Sequence, residues 1–322
     1  MIPLDCCSPK KFEATERNEL GPPRAVVLHR FDMFKEKCLQ GRTAIVTGGG
    51  TGLGLSMAQK FADLGANLVL TSRDSTHTEP ACEQIRARGA NAIAVRCDVR
   101  SFPEVEAMVA KTEETFGSVD ILVNNAAGNF LCPTEDLSAN GFNAVISTVL
   151  NGTFHATLAA GRKMIAGGKG GAILNILATY AWTGSGFVIP SASAKAGVMA
   201  MTRSVAVEWA KYRIRVNGIA PGPFPTDGAW KALVPEGMHE LGKGRIPLGR
   251  YGEHDELANL AAYLVSDYAA YITGDVITID GGAWLAEGGT FNQLAMMDPD
   301  QIKPVIAAMR PPRKPKQSGT ND

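Results

Sequence analysis

A cluster of glycines directly after a short apolar run is the feature that most restricts the fold of this chain. Residues 43–47 read TAIVT, a pattern typical of a buried strand, and GGGTGLG at 48–54 leads into a predicted helix at 53–64. Glycines in such a turn let the backbone approach a pyrophosphate, whose charge is met by the helix N-terminus. The strand, turn and helix together predict a dinucleotide site. Its predicted residues are Thr47, Gly48, Gly50, Thr51, Gly52, Leu53 and Gly54.

Short apolar runs alternate with amphipathic segments along most of the chain, a pattern typical of βαβ units. The runs are continuously apolar, as buried parallel strands require. We therefore predict an α/β fold, a single-domain Rossmann-type doubly wound parallel sheet of about seven strands. The predicted strands after the first are 67–71, 92–96, 121–123, 172–176, 215–219 and 276–279, with helices at about 78–88 and 105–116.

We predict three parts of the chain. Residues 1–37 form an N-terminal extension, 38–294 the α/β domain, and 295–322 a C-terminal helix with a basic, disordered tail. Within the domain, the polar segment 226–249 contains glycine and proline and follows a predicted strand. Because ligands bind beyond the carboxyl ends of parallel strands, we expect this segment to be a substrate lid.

Composition and charge exclude several classes of protein. Of 322 residues 45% are hydrophobic, and 32 basic side chains balance 32 acidic ones. This composition excludes a disordered, collagen-like or small disulfide-rich protein. Zero net charge argues against a nucleic-acid partner. Because no apolar stretch approaches the roughly 18 to 20 residues of a membrane helix, we predict no membrane partner.

The cysteines and histidines do not suggest a metal site. The six cysteines have no metal-type spacing and the five histidines form no cluster, so we predict reduced thiols and no bound metal. Residues 1–37 have no apolar core and contain several acids, which argues against a secretory signal. The predicted location is cytoplasmic, and a mitochondrial one stays open.

Polar residues follow the second, third and fourth predicted strands, where a dinucleotide would lie. Ser72 and Arg73 stand where an NAD-preferring site places an acid, and an arginine there can pair with a 2′-phosphate, which favours NADPH. Asp98 is expected beside the adenine. Asn125 and Ala126, in NNAAG, permit close packing against the cofactor.

The order and spacing of these motifs resemble the short-chain dehydrogenase/reductase family over roughly residues 38–294. The matching motifs are TGGGTGLG, CDVR, NNAAG, Lys195, PGP at 221–223 and ITGDVITIDGG. The family's usual centre has a serine, then a tyrosine, then a lysine four residues later. Here Lys195 is present, Ser191 stands at the tyrosine position, Ala178 stands at the serine position, and Tyr180 lies 15 residues before the lysine.

This rearranged centre resembles the 2,4-dienoyl-CoA reductase branch of that family. The matching segments are NNAAGNF at 124–130, VLNGT at 149–153, TGSGFVIPSASAKAGV at 183–198 and NLAA at 259–262. The resemblance implies NADPH-dependent reduction of 2,4-dienoyl-CoA to 3-enoyl-CoA in unsaturated fatty acid degradation. It also implies an acyl-CoA thioester partner and a homotetramer.

Residue roles follow from the resemblance. Tyr180 and Asn129 would hold the dienolate oxygen, Lys195 would bind the nicotinamide ribose, and Ser191 would donate near the nicotinamide or thioester. Pro221, Gly222, Pro223 and Phe224 would enclose the nicotinamide side of the cofactor. The residues expected to face the acyl-CoA are Arg100, Phe130, Ser138 and Lys231.

Alternatives remain open for both the residues and the function. Tyr180 could be a buried aromatic and Asn129 a turn cap. Asn151 matches a helix-kinking asparagine of the wider family, with a structural or a catalytic role. A trans-2-enoyl-CoA reductase of the same fold, or a non-catalytic NADPH-binding protein, would use the same cofactor site. A 2,4-dienoyl-CoA reductase requires a conjugated diene, which distinguishes it from a trans-2-enoyl-CoA reductase. Absence of turnover would indicate the non-catalytic protein.

Overall fold

Seven apolar runs form one parallel sheet in the computed structural model of this chain, which describes residue 34 and residues 37–226 and 242–309. The order across the sheet is β3-β2-β1-β4-β5-β6-β7. This order confirms the predicted doubly wound Rossmann-type sheet, and each predicted strand matches an observed one to within two residues. The strands are β1 (Thr43–Thr47), β2 (Asn67–Ser72), β3 (Ala92–Arg96), β4 (Ile121–Asn124), β5 (Gly171–Ile176), β6 (Ile214–Pro221) and β7 (Val276–Ile279).

Helices connect the strands. Two of them begin three residues before their predicted starts, because Asp74 caps one and Pro103 lies in the first turn of the other. The helices are α1 (Gly52–Asp63), α2 (Ser75–Ala87), α3 (Phe102–Phe116), α4 (Ala139–Ile146), α5 (Gly152–Gly167), α6 (Tyr180–Thr183), α7 (Ile189–Trp209), α8 (His254–Val265), α9 (Ala283–Gly288) and α10 (Pro299–Ala308).

The sheet reverses its winding beside β1. Strand β1 pairs in parallel with β2 on one side, through Val46 and Leu70, and with β4 on the other, through Val46 and Val123. In such sheets the crevice at the carboxyl ends of the two central strands is the usual ligand site. The glycine-rich turn after β1 and the NNAAG segment after β4 both lie at this edge.

A buried polar network crosses the centre of the sheet. Asn124 Nδ2 donates to Thr157 Oγ1 at 3.0 Å and to Asn175 Oδ1 at 2.8 Å. Asn175 Nδ2 in turn donates to Thr202 Oγ1 at 2.8 Å. These bonds join β4 and β5 to α5 and α7. Since buried amides are costly without partners, the network fixes the strand ends that carry the site.

A turn of π-helix separates α4 from α5. It spans Ser147–Asn151, and Asn151 is exposed at its end. The kink predicted at Asn151 is therefore present, and π-turns inside helices are frequent at functional sites. Among the described residues, no helix is both long and apolar enough to cross a membrane.

Candidate active site

The glycine-rich turn has the backbone geometry of an anion cradle. Gly48 and Gly52 have φ of +63° and +53°, which residues with side chains rarely adopt. Thr51 precedes α1 with extended backbone, and its side chain does not cap the helix. Among the described residues, the cap position thus leaves the first-turn N–H groups of this 12-residue helix available for an anion. These features fit the pyrophosphate of a dinucleotide.

Thr47 and Asn125 join the cradle to the end of β4. Asn125 Nδ2 donates to the carbonyl oxygens of Thr47 and Gly48, at 3.0 Å each. Thr47 Oγ1 donates to Val123 O at 3.2 Å and accepts from the N–H groups of Asn125 and Ala126 at 3.0 Å. Three of the predicted cofactor residues, Thr47, Asn125 and Ala126, thus shape the turn through these bonds.

Gly54 leaves no space for a side chain at the base of the cradle. A Cβ built on Gly54 would lie 2.4 Å from Gly48 O and 2.6 Å from Asn125 Nδ2. Gly50 also packs closely, against the first turn of α2, where a built Cβ would lie 2.9 Å from the carbonyl carbon of His77. The close packing explains why the turn needs glycine at these positions.

The ends of β2 and β3 place two arginines around one carboxylate. Arg73 is exposed, and Ser72 Oγ donates to the Asp74 carbonyl oxygen. Arg100 binds Asp98 through Nε, at 2.9 and 3.0 Å, and through Nη2 at 2.5 Å. The Arg100 bond is the main cause of the lowered pKa of Asp98, and the Arg73 charge lowers that pKa further.

Arg100 is thus paired with Asp98, and its contact with a CoA phosphate stays a prediction. The pair borders a cavity of about 460 Å³. Its other lining residues are the N-cap residue of α3 and residues of α4 and of the π-helical turn after it. They are Ser101, Asn143, Ala144, Ser147 and Asn151.

Tyr180, Ser191 and Lys195 are brought together where β5 ends. The Tyr180 hydroxyl lies 3.0 Å from Ser191 Oγ, and Lys195 Nζ donates to the carbonyl oxygen of Ile176. Ser191 and Lys195 are 2% and 7% exposed. Burial raises the pKa of the Tyr180 phenol, with a smaller opposing contribution from Ser191. Burial also lowers the pKa of Lys195 to about 8.

The segment after β4 lies beside the segment that carries Tyr180. Cys132 N–H donates to Phe187 O at 2.9 Å, which joins the two segments. Asn129 is half-buried, and its Oδ1 accepts from the Phe130 N–H at 3.0 Å. The turn-capping bond considered for Asn129 is therefore made by its oxygen, and its amide nitrogen stays the predicted donor.

Phe130 and Ser138 also lie in this region. The Phe130 ring is 37% exposed and packs near Gly141. Ser138 Oγ accepts from the Gly141 N–H at 3.0 Å and caps α4. Ser138 thus has a structural bond besides its predicted substrate contact.

The residues after β6 enclose the other side of the crevice. Gly222 N–H donates to Ile279 O at 2.9 Å, and Pro223 O accepts from the Gly252 N–H at 3.2 Å. Phe224 is buried against Gly252. A Cβ built on Gly52 would lie 3.3 Å from Thr226 Cγ2, so the end of this segment borders the cradle. Lys231 and most of the expected lid lie outside the described residues.

Some contacts at the site gave no signal in the sequence. His254 bridges α1 to the segment after β6, with Nδ1 3.0 Å from Ser56 Oγ and Nε2 2.7 Å from Pro225 O. Trp182 stacks on Trp284, with ring centroids 5.2 Å apart. The Ser56–His254 and Trp182–Trp284 contacts join residues about 100 or more positions apart in the chain, so no local spacing could reveal them. In the part of the chain that is described, no group of three or more metal-ligating side chains occurs.

Comparisons with known proteins identify relatives of this chain. A family model described as enoyl-(acyl carrier protein) reductase matches residues 48–283. A Bacillus subtilis protein named a probable 2,4-dienoyl-CoA reductase, (2E)-enoyl-CoA-producing, is 46% identical, and the match covers 77% of this chain and 98% of that protein. An Arabidopsis thaliana protein named a peroxisomal 2,4-dienoyl-CoA reductase, (3E)-enoyl-CoA-producing, is 40% identical, with coverage of 79% and 88%.

A solved structure extends the similarity to the fold. The crystal structure of a gluconate 5-dehydrogenase from Burkholderia cenocepacia, in complex with NADP and tartrate, matches with a TM-score of 0.72 at 33% identity. The match covers 76% of this chain and 95% of that one. With a family model that spans most of the sheet and relatives well above 30% identity, this chain belongs to the short-chain dehydrogenase/reductase family.

Proposed function

We propose that this protein reduces 2,4-dienoyl-CoA thioesters with NADPH, forming 3-enoyl-CoA. The observation that carries the proposal is the hydroxyl of Tyr180, 3.0 Å from Ser191 Oγ. Ser191 stands four residues before Lys195, where the family usually has its tyrosine. A phenol therefore reaches this position from a different segment, as in the branch that the sequence resembles. The names of relatives at 46% and 40% identity support the same substrate class.

The protonation state of Tyr180 suits a hydrogen-bond donor. Because burial raises its pKa above the ordinary value, the phenol stays protonated at neutral pH. When bound, NADPH supplies a hydride for C5 of the dienoyl group, and the displaced electrons move onto the thioester oxygen. The Tyr180 hydroxyl and the Asn129 amide would donate to that oxygen. Donors aimed at a developing oxyanion lower the barrier in this way.

The position of protonation decides the product. A proton added at C2 of the dienolate leaves a C3–C4 double bond, and a proton added at C4 leaves a C2–C3 double bond. The Arabidopsis thaliana relative is named as (3E)-enoyl-CoA-producing and the Bacillus subtilis relative as (2E)-enoyl-CoA-producing. We propose the 3-enoyl product. The name of the Bacillus subtilis relative favours the alternative, a 2-enoyl product.

Lys195 would bind the nicotinamide ribose. Its ammonium group is buried and directed at the Ile176 carbonyl oxygen, which fixes its position at the end of β5. A pKa of about 8 leaves most of the group charged at neutral pH. Lys195 therefore remains a donor for ribose hydroxyls in the working pH range.

Further proposals concern the cofactor, the assembly and the location. The exposed Arg73 at the end of β2 supports NADPH over NADH, because its guanidinium can pair with a 2′-phosphate. An NADP complex of a relative with the same fold is consistent with this preference. A homotetramer and a cytoplasmic location stay predictions, and one relative is named as peroxisomal.

The direct test is NADPH oxidation with 2,4-hexadienoyl-CoA, beside trans-2-hexenoyl-CoA at equal concentration. We expect turnover with the diene only, and the product double bond at C3 in the NMR spectrum of the purified thioester. Turnover of only the monoene would assign a trans-2-enoyl-CoA reductase instead. No turnover with either, despite NADPH binding, would favour the non-catalytic protein.

A further inference from the structure

The helix that carries Tyr180 is too short to hold the phenol in place by itself. Helix α6 has four residues, and Gly184 after it has φ of +71°. Residues 183–187 are all exposed. A single helical turn is unstable in isolation, since its first hydrogen bond does not offset the entropy lost on ordering. The position of Tyr180 therefore depends on tertiary contacts of α6.

Helix α6 makes an aromatic contact through the stack between Trp182 and Trp284. The ring centroids are 5.2 Å apart with an interplanar angle of 30°. Trp182 also packs against a buried cluster that contains Ala181 of its own helix and Val198 of α7. Trp182 is thus held between α7 and the ring of Trp284.

Trp284 is itself anchored to the end of the sheet. Asp280 follows β7, and its carboxylate accepts hydrogen bonds from the backbone N–H of Trp284 at 2.7 Å and from the backbone N–H of Gly282 at 2.8 Å. Asp280 also packs tightly on Gly222, where a built Cβ would lie 2.4 Å from Asp280 Cβ. A continuous series of contacts therefore runs from the end of β6, through Asp280 and the two indoles, to the helix of Tyr180.

We propose that Trp284 is a positioning residue for Tyr180, acting through the Trp182 stack. It keeps α6 against α7, so that the phenol stays at Ser191 and directed at the reacting oxygen. This inference rests on the proposed reduction of dienoyl-CoA. Trp284 lies 104 residues after Tyr180. Among the described residues, its ring stacks on Trp182, while Ser191 and Lys195 bond to Tyr180 and Ile176.

The test uses Trp284→Leu, which keeps an apolar side chain and removes the stack, and Trp284→Phe, which restores an aromatic ring. We expect Trp284→Leu to lower kcat with the diene by about tenfold or more, since small displacements of a catalytic group have effects of this size. The KM for NADPH should stay within about twofold of wild type, and Trp284→Phe should recover most of kcat. In a Tyr180→Phe background, Trp284→Leu should cause almost no further loss.

The matched control is Trp209→Leu. Trp209 also packs closely, over Gly161, but it ends α7 while Ser191 lies in the first turn of that helix. The Trp209→Leu substitution should leave kcat unchanged even if it lowers the melting temperature. A loss of kcat in Trp284→Leu that is equally large in the Tyr180→Phe background, or no loss at all, would overturn the proposal.

Hydrogen exchange gives a readout that needs no turnover. The Gly184 N–H donates to Tyr180 O at 2.9 Å, and this amide reports opening of α6. Exchange in a peptide covering 178–188 should be about three- to tenfold faster in Trp284→Leu, the range expected for one lost aromatic pair. Equal exchange in Trp284→Leu and Trp209→Leu would overturn the positioning role. If the wild type fails to reduce the diene, the proposed function fails while this exchange still decides the role of Trp284.

Discussion

The cradle at Gly48–Gly54 and the segment that carries Tyr180 are held in place in opposite ways. The cradle is fixed by short bonds to the neighbouring strand end, among them two 3.0 Å bonds from Asn125 Nδ2, and by glycines packed without spare room. The Tyr180 segment has one helical turn and an exposed loop in which Phe187 has φ of +65°. The first region is fixed by its own closely packed glycines and by backbone bonds to the adjacent strand end, whereas the second depends on side-chain contacts from other elements.

This difference explains how the family's centre can be rearranged without damage to the cofactor site. Ser191 and Lys195 lie on the long helix α7, which packs directly on the sheet. Tyr180 comes from the short helix before it and still reaches Ser191. Since no hydrogen bond joins the cradle to α6 within the described part of the chain, the phenol can be supplied from another segment while the cradle keeps its geometry.

Removal of the Tyr180 hydroxyl should cause the largest loss of activity. It should change the chemistry of the second region and leave the cofactor site unchanged. Tyr180→Phe should lower kcat with the diene by about 10²- to 10³-fold, as for the loss of one oxyanion donor. NADPH affinity should not change. Steady-state kinetics and a fluorescence titration with NADPH test the two statements. The control is Tyr271→Phe, at a fully exposed tyrosine. A kcat within threefold of wild type would remove Tyr180 from the chemistry.

A methyl group in the cradle should affect the first region instead. Gly54→Ala places a Cβ 2.4 Å from Gly48 O, so backbone must move. We expect a loss of about 3 kcal/mol in the free energy of unfolding, at the upper end for overpacking. NADPH binding should be lost at concentrations that saturate the wild type. Urea unfolding and calorimetric titration test this.

The matched control for Gly54→Ala is Gly167→Ala in the last turn of α5. Its built Cβ meets no atom within 4 Å. This substitution should leave NADPH binding intact and not destabilise the helix. If Gly54→Ala binds NADPH as the wild type does, the cradle is more tolerant than its packing indicates.

The sequence predicted the glycine turn of the first region, but it did not reveal the long-range contacts of either region. The glycine turn, the seven strands and their type follow from local periodicity and turn chemistry, which act over a few residues. The pairing of Asp98 with Arg100 was missed because two neighbouring charges can each face a ligand or one another, and spacing does not decide between these arrangements. The bridge from Ser56 to His254 and the stack of Trp182 on Trp284 need the folded sheet, since only its topology brings such distant residues together.

Lys195 lies on α7 and binds the carbonyl oxygen at the end of β5. Its burial predicts that the free energy of unfolding depends on pH. Its pKa is about 8 in the folded protein and 10.5 when exposed, so the unfolded chain binds more protons between these values and stability rises with pH. Relative to Lys195→Met, the wild type should gain about 2 to 3 kcal/mol between pH 7 and pH 10. Chemical unfolding of both proteins at the two pH values tests this. If the difference in unfolding free energy between the two proteins is the same at both pH values, the pKa of Lys195 is not lowered by folding.

Arg73 allows the smallest and most selective test of the first region. The side chain is exposed at the end of β2, and its predicted partner is a phosphate that only NADPH carries. Arg73→Gln should raise the KM for NADPH by roughly tenfold, the size of one charge-assisted bond, and leave the KM for NADH unchanged. Arg162→Gln, at another exposed arginine with a 4.0 Å ion pair to Glu106, should change neither value. If Arg73→Gln weakens both cofactors equally, Arg73 acts on the shape of the cradle through Asp98 and not on the 2′-phosphate, and the first region is then less local than its glycines suggest.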